Sequence, residues 1–99
     1  MRTVVWSRRA LDQLKAATAH LAAQNVEPAA VQTLRIQKTA DALGMRPIGR
    51  PGELPGTFVK RVTGTRYLIV YRLSGGENGT LEILRLWHSA QNWTAAERP

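Results

Sequence analysis

Cysteine is missing altogether from this sequence, which removes disulfides, thiolate metal sites and a cysteine nucleophile at one stroke. Acidic residues are scarce: seven Asp and Glu stand against fourteen Lys and Arg, a formal charge of +7. That imbalance argues for an anionic partner, either nucleic acid or an acidic protein segment, against a plainer reading in which the charges only keep a small domain soluble. Histidine is limited to two positions. With carboxylates scattered along the chain, no protein-derived zinc site and no paired-carboxylate hydrolytic site is expected. No glycine motif follows a strand and opens a helix in the manner of a phosphate or dinucleotide loop. No apolar run approaches the roughly 20 residues that span a bilayer, and no signal-peptide core stands at the N-terminus. A cytosolic protein with no membrane contact and no cofactor is expected.

What is present fits one domain of 99 residues with an ordinary hydrophobic fraction of 43%. Its organising stretch runs from Gly56 to Trp93. Thr57 to Val62 is rich in β-branched and aromatic residues, Thr63-Gly64 is a turn dipeptide, and Arg66 to Leu73 resumes as a second strand. Ser74-Gly75-Gly76-Glu77-Asn78-Gly79 supplies residues that tolerate positive φ, after which Leu81 to His88 reads as a third strand. Thr3 to Trp6 is a short strand expected at the sheet edge, and Ser7 is placed to cap a helix. Ala10, Leu14, Ala17 and Leu21, with Leu11 beside them, give that helix an apolar stripe to about Gln24, where Asn25 reads as a cap. Glu27-Pro28 restarts a second helix carrying Ala29, Thr33, Ile36, Ala40 and Leu43, with Val31 and Leu34 alongside, and Gly44 ends it. The fold class is α+β: an N-terminal strand, a helical hairpin, then a three-stranded antiparallel meander (β-α-α-β-β-β).

Alternation along the strands sets the functional expectation, since successive side chains point to opposite faces. Tyr67, Ile69, Tyr71 and Leu73 share one face of the middle strand, and Arg66, Leu68, Val70 and Arg72 share the other. In the last strand Leu84, Leu86 and His88 fall on one face, and Ile83, Arg85 and Trp87 on the opposite one. A single helical layer covers only one side of a sheet. The uncovered front is therefore expected to be basic and partly apolar, a docking surface for a second polypeptide built on Leu68, Val70, Arg72, Arg85 and Trp87. The alternative is a front closed by the chain's own C-terminal tail, Thr94 to Pro99.

Residues Gly44 to Gly56 carry Pro47, Pro51 and Pro55 and form neither helix nor central strand; loops of this length tend to bind something or to be mobile. Between Arg46 and Arg72 the basic residues Arg46, Arg50, Lys60, Arg61, Arg66 and Arg72 face only Glu53. They suit phosphates in a ribonuclease-like transition state, phosphates held without chemistry, or carboxylates of a bound peptide. Lys60 and Arg61 are adjacent in a strand and point to opposite faces unless a bulge intervenes. His88 has the one obvious acid-base reading, set against a histidine that packs under Trp93 or caps a strand end. Tyr67 and Tyr71 read as core residues.

Taken in order, these segments resemble the RelE/ParE superfamily of bacterial type II toxins. The resemblance rests on Ile48-Gly49-Arg50, Gly56-Thr57, Tyr67-Leu68-Ile69-Val70-Tyr71-Arg72 and Ile83-Leu84-Arg85-Leu86-Trp87-His88 leading to Asn92-Trp93, and it covers nearly the whole chain. It implies a small basic toxin neutralised by a cognate antitoxin of the ParD kind, whose C-terminal segment wraps the toxin. RelE-like members cut mRNA on the ribosome and ParE-like members poison DNA gyrase. Leu68 stands where the RelE pattern has an arginine, and Ser89-Ala90-Gln91-Asn92 where it has basic residues, which weakens the nuclease reading; the loop with Gly49-Arg50 before Gly56-Thr57 and the ending from His88 to Trp93 look more like ParE. Gln91 departs from the arginine common in that branch. The leading expectation is a gyrase-binding toxin, with Arg50, Arg66, His88 and Trp93 as target-binding candidates. A ribosome-dependent endoribonuclease using Lys60, Arg61, Arg66, Arg85 and His88, and a chain that keeps only its antitoxin-binding role, are the alternatives.

Overall fold

The computed structural model describes residues 1–24 and 29–89. Asn25, Glu27-Pro28, Trp93 and the 94–99 tail lie outside the described residues. The elements follow in the expected order: β1 (Thr3–Trp6), α1 (Arg8–Gln24), α2 (Ala29–Met45), β2 (Arg50–Pro51), β3 (Thr57–Arg61), β4 (Tyr67–Ser74), a short 3-10 turn (Gly76–Asn78) and β5 (Thr80–His88). They build an α+β fold in which a mixed sheet of order β1-β5-β4-β3-β2 carries the helical hairpin on one face.

The meander forms as the turn residues dictate. Gly64 and Gly75 adopt φ of 80° and 78°, a region closed to most side chains. β1 takes an edge as expected and runs parallel to β5, from Thr3 opposite Thr80 to Trp6 opposite Ile83. The strand missing from the sequence reading is β2, drawn from the proline-rich loop, where Arg50 and Pro51 pair with Val59 and Phe58. At an edge, a proline forfeits no inward ladder bond.

Ser7 caps α1 by accepting a hydrogen bond from the Ala10 N–H at 3.0 Å. Its hydroxyl also donates to the Leu84 carbonyl at 3.0 Å, and Gln13 Oε1 accepts from the Leu86 N–H at 2.8 Å. The first of these contacts falls on an irregularity in β5, and the second lies two residues beyond it. Val70 lies opposite Arg85 while Tyr71 lies opposite Ile83, so Leu84 is an extra residue without a partner. Such a bulge reverses the alternation beyond it. Ile83, expected on the front with Arg85 and Trp87, is therefore fully buried among the helices together with Leu86.

The core lies between hairpin and sheet. Ala10, Ala17, Ile36, Ala40 and Leu43 pack on Val62, Tyr67, Ile69, Tyr71, Leu81, Ile83 and Leu86. Full burial of a side chain such as Ile36 contributes about 1.5–3 kcal/mol. Alanine at three of the helical positions lets the helices sit close to the sheet. Leu11, Val31 and Leu34, expected beside the apolar stripes, are exposed instead, because the hairpin presents only one narrow side of each helix to the strands.

Tyr71 pins the proline-rich loop. Its ring stacks on Phe58 at 5.5 Å, and its hydroxyl accepts a hydrogen bond from the Gly49 N–H at 2.9 Å. A Cβ on Gly49 would approach that oxygen to 2.5 Å and the Val59 carbonyl to 2.9 Å, so only glycine lets the loop come this near. Burial raises the pKa of both Tyr67 and Tyr71; at Tyr71 the Gly49 N–H and Arg2 oppose the rise without cancelling it. A phenol harder to ionise when folded than when unfolded stabilises the fold below the unfolded value of about 10, and that contribution is lost as pH climbs through the folded one. The unfolding midpoint is expected to fall above about pH 10, and to fall less steeply in a Tyr71→Phe variant. Identical pH profiles for the two proteins would contradict this account of Tyr71.

Candidate functional site

The face of the sheet turned from the helices is built by three cross-strand rows. Arg61, Leu68 and Trp87 form one; Val59, Val70 and Arg85 the next; Thr57, Arg72 and Glu82 the third. Directly opposed residues share a face, so the bulge at Leu84 brings Arg85 and Trp87 to the same side as Leu68 and Val70. The expected grouping of these four side chains holds, with Arg72 at their margin.

Its surface is less open than expected. Val70 is only 2% exposed and Trp87 only 5%, while Leu68 is half-buried. Val70 sits on an inner strand between Val59 and Arg85, and the Arg85 guanidinium lies over the Trp87 ring at 5.9 Å from its centroid. Long arginine stems cover apolar surface in this way while keeping charge near water. Closure by the C-terminal tail concerns residues outside the described ones. Arg72 is itself engaged: its Nε donates to Glu82 at 2.7 Å, and both side chains reach solvent. What the front offers a partner is the exposed Arg61, the half-buried Leu68 and Arg85, and Arg72, over a closed apolar floor.

The five residues considered for a nuclease do not converge. Lys60 pairs with Ile69, a core residue on the helical side, whereas Arg61 pairs with Leu68 on the front; β3 runs without a bulge, so the two adjacent basic residues face apart. Arg85 is on the front. His88, at the end of β5, lies on the helical side with its ring 5.1 Å from that of Tyr67. Arg66 precedes β4, and its carbonyl accepts from the Ser89 N–H at 2.7 Å, which keeps it near His88. The target-binding candidates divide likewise: Arg66 and His88 are neighbours, Arg50 lies at the far edge on β2, and Trp93 is outside the described residues.

A family model for the ParE toxin of the type II toxin-antitoxin system parDE matches residues 4–93. The chain belongs to the ParE toxin family. Among solved structures, the chromosomal ParDE toxin-antitoxin system from P. aeruginosa matches with a TM-score of 0.78 and 24% sequence identity, over 89% of this chain and 96% of that one. At that identity the likeness speaks for the fold. No curated protein matches significantly. The ParE branch, expected over RelE from the Gly49-Arg50 loop before Gly56-Thr57 and from the ending at His88 and Trp93, is thus the one found.

One grouping in this ParE-family chain was invisible in the sequence. Gln13, Ala16, Ala17 and His20 of α1 face Tyr67, Leu86 and His88 across a cleft of about 440 Å³ on the helical side. His20 and His88 have ring centroids 5.9 Å apart, with planes at 80°. The pKa of His88 is lowered, first by desolvation and then by the positive potential of His20 and Arg66. His88 has the rings of Tyr67 and His20 as neighbours, and its packing under Trp93 concerns a residue outside the described ones. Helical periodicity ranks His20 as an off-stripe surface residue, and nothing in its spacing from His88 signals contact. Among the described residues no group of three or more His, Asp or Glu is placed to hold a metal, and no helix is long and apolar enough to cross a membrane.

Proposed function

We propose that this type II toxin acts by binding DNA gyrase and that a cognate, acidic antitoxin neutralises it by lying across the front of the sheet. The observation that carries the reading is the ParE family match over residues 4–93. Two features support it. The basic residues that a ribosome-dependent nuclease would need on one surface are divided between two faces of the sheet, and a cationic front with Leu68 at its centre suits a negatively charged polypeptide.

Purified, antitoxin-free protein added to gyrase is expected to inhibit supercoiling in a dose-dependent manner. Unchanged supercoiling at large excess of folded toxin would overturn the gyrase reading, and cuts in translated mRNA seen by primer extension would replace it with the nuclease one. The front is tested separately, by antitoxin binding, and that test does not depend on the target.

A further inference from the structure

The two histidines of the chain, far apart in sequence, are joined by the fold in the cleft between α1 and the end of β5. We propose that His20 and His88 form a two-histidine site for a first-row transition cation of the zinc, nickel or copper kind. The site lies on the helical side of the sheet, away from the antitoxin surface, and its test reads metal binding without reference to the toxin's target.

Distance is the first argument. With metal–nitrogen bonds of about 2.0–2.1 Å, a bound ion sits about 3.2 Å from each imidazole centroid; two rings sharing it are then about 5.2 Å apart at a tetrahedral angle and about 6.4 Å apart if linear. The observed 5.9 Å lies inside that interval. Orientation is the second. The His88 ring packs against Tyr67 at 5.1 Å with the planes at 85°, whereas His20 is exposed on α1, where a change of rotamer would present a nitrogen. Chemistry is the third. A site of imidazoles without carboxylates selects borderline cations and rejects calcium and magnesium. The cleft is open to water, which completes the coordination.

The same neighbours limit the strength of the site. Arg66 and the chain's overall positive charge oppose a cation, and two ligands hold an ion less firmly than three or four. Moderate affinity is therefore expected. A bound ion would fasten the middle of the fold, because α1 and β5 already meet through Ser7 and Gln13 at one end of their contact and the ion would join them at the other. Positions 20 and 88 lie too far apart along the chain for spacing to signal a shared ligand, which is why no zinc site is expected from sequence alone.

The test uses untagged protein and zinc, nickel or copper chloride alone. Calorimetric titration is expected to give one ion per chain, and zinc at ten times its dissociation constant should raise the unfolding midpoint by at least about 5 °C. Copper-loaded protein should show nitrogen hyperfine splitting from two imidazoles in its paramagnetic resonance spectrum. His20→Asn, an exposed and fold-neutral change, should abolish the midpoint rise and leave at most one coupled nitrogen; His88→Asn should do the same if it folds. Binding of equal affinity in His20→Asn, a spectrum without two coupled imidazoles in the parent chain, or no midpoint change at saturating zinc would each overturn the proposal.

Discussion

Replacing Tyr71 with alanine is expected to lower stability by about 3–5 kcal/mol, the usual cost of deleting a buried aromatic ring. Small domains hold only about 5–15 kcal/mol in all, so the variant should be largely unfolded at modest denaturant. Tyr71 is fully buried, stacks on Phe58 and holds Gly49, so its loss opens the core and releases the proline-rich loop together. Tyr71→Phe keeps the ring and removes only the acceptor for the Gly49 N–H. Its cost should be about 1–3 kcal/mol, the price of a half-buried donor left without its partner. Denaturant titration of the three proteins checks the ranking. If Tyr71→Phe fell as far as Tyr71→Ala, the stability would reside in the hydroxyl contact, and the packing account would be wrong.

The second large effect concerns the antitoxin. Leu68→Asp is expected to weaken complex formation at least about hundredfold, close to 3 kcal/mol, since it sets a carboxylate at the centre of a surface that receives an acidic partner. The change should leave the fold intact, because Leu68 is half-buried and lies on the side of the sheet away from the core cluster. Arg61→Glu on the same row should act in the same direction, with an effect that shrinks as salt rises. Binding to the cognate antitoxin, measured by calorimetry alongside circular dichroism of the free variants, checks both. Wild-type affinity in folded Leu68→Asp would exclude this surface. Val70→Asp is a poor probe by comparison: at 2% exposure an uncompensated carboxylate there attacks the fold before it can report on docking.

The elements and their order were legible because local signals agreed with one another. Ser7 caps the first helix as its type and position suggest, Gly64 turns the hairpin, and the Tyr67, Ile69 and Tyr71 face meets the helices as alternation requires. What escaped the sequence arose from contacts distant along the chain. Alternation misplaced Ile83 because the bulge at Leu84 is supported by Ser7 and Gln13, side chains of another element. Residues Arg50 and Pro51 become a strand only because β3 offers them a free edge. On the front, the grouping of Leu68, Val70, Arg85 and Trp87 could be read from parity, but its degree of closure could not, since parity does not say how an arginine stem lies across a tryptophan. The toxin reading came from family resemblance, with charge and pattern alone going no further than an anionic partner.

The parallel pairing of β1 with β5 has a bearing on how the chain is made. β5 stands between β1 and β4 in the sheet and is synthesised last of the five strands. A nascent chain that has emerged only through β4 holds its first strand with no neighbour to zip against and its helices without Leu81, Ile83 and Leu86 beneath them. Folding that depends on such long-range closure is slow compared with helix formation. The cross-strand rows of the front all end on β5, at Trp87, Arg85 and Glu82, so the surface described for a partner is complete only once that closure has occurred.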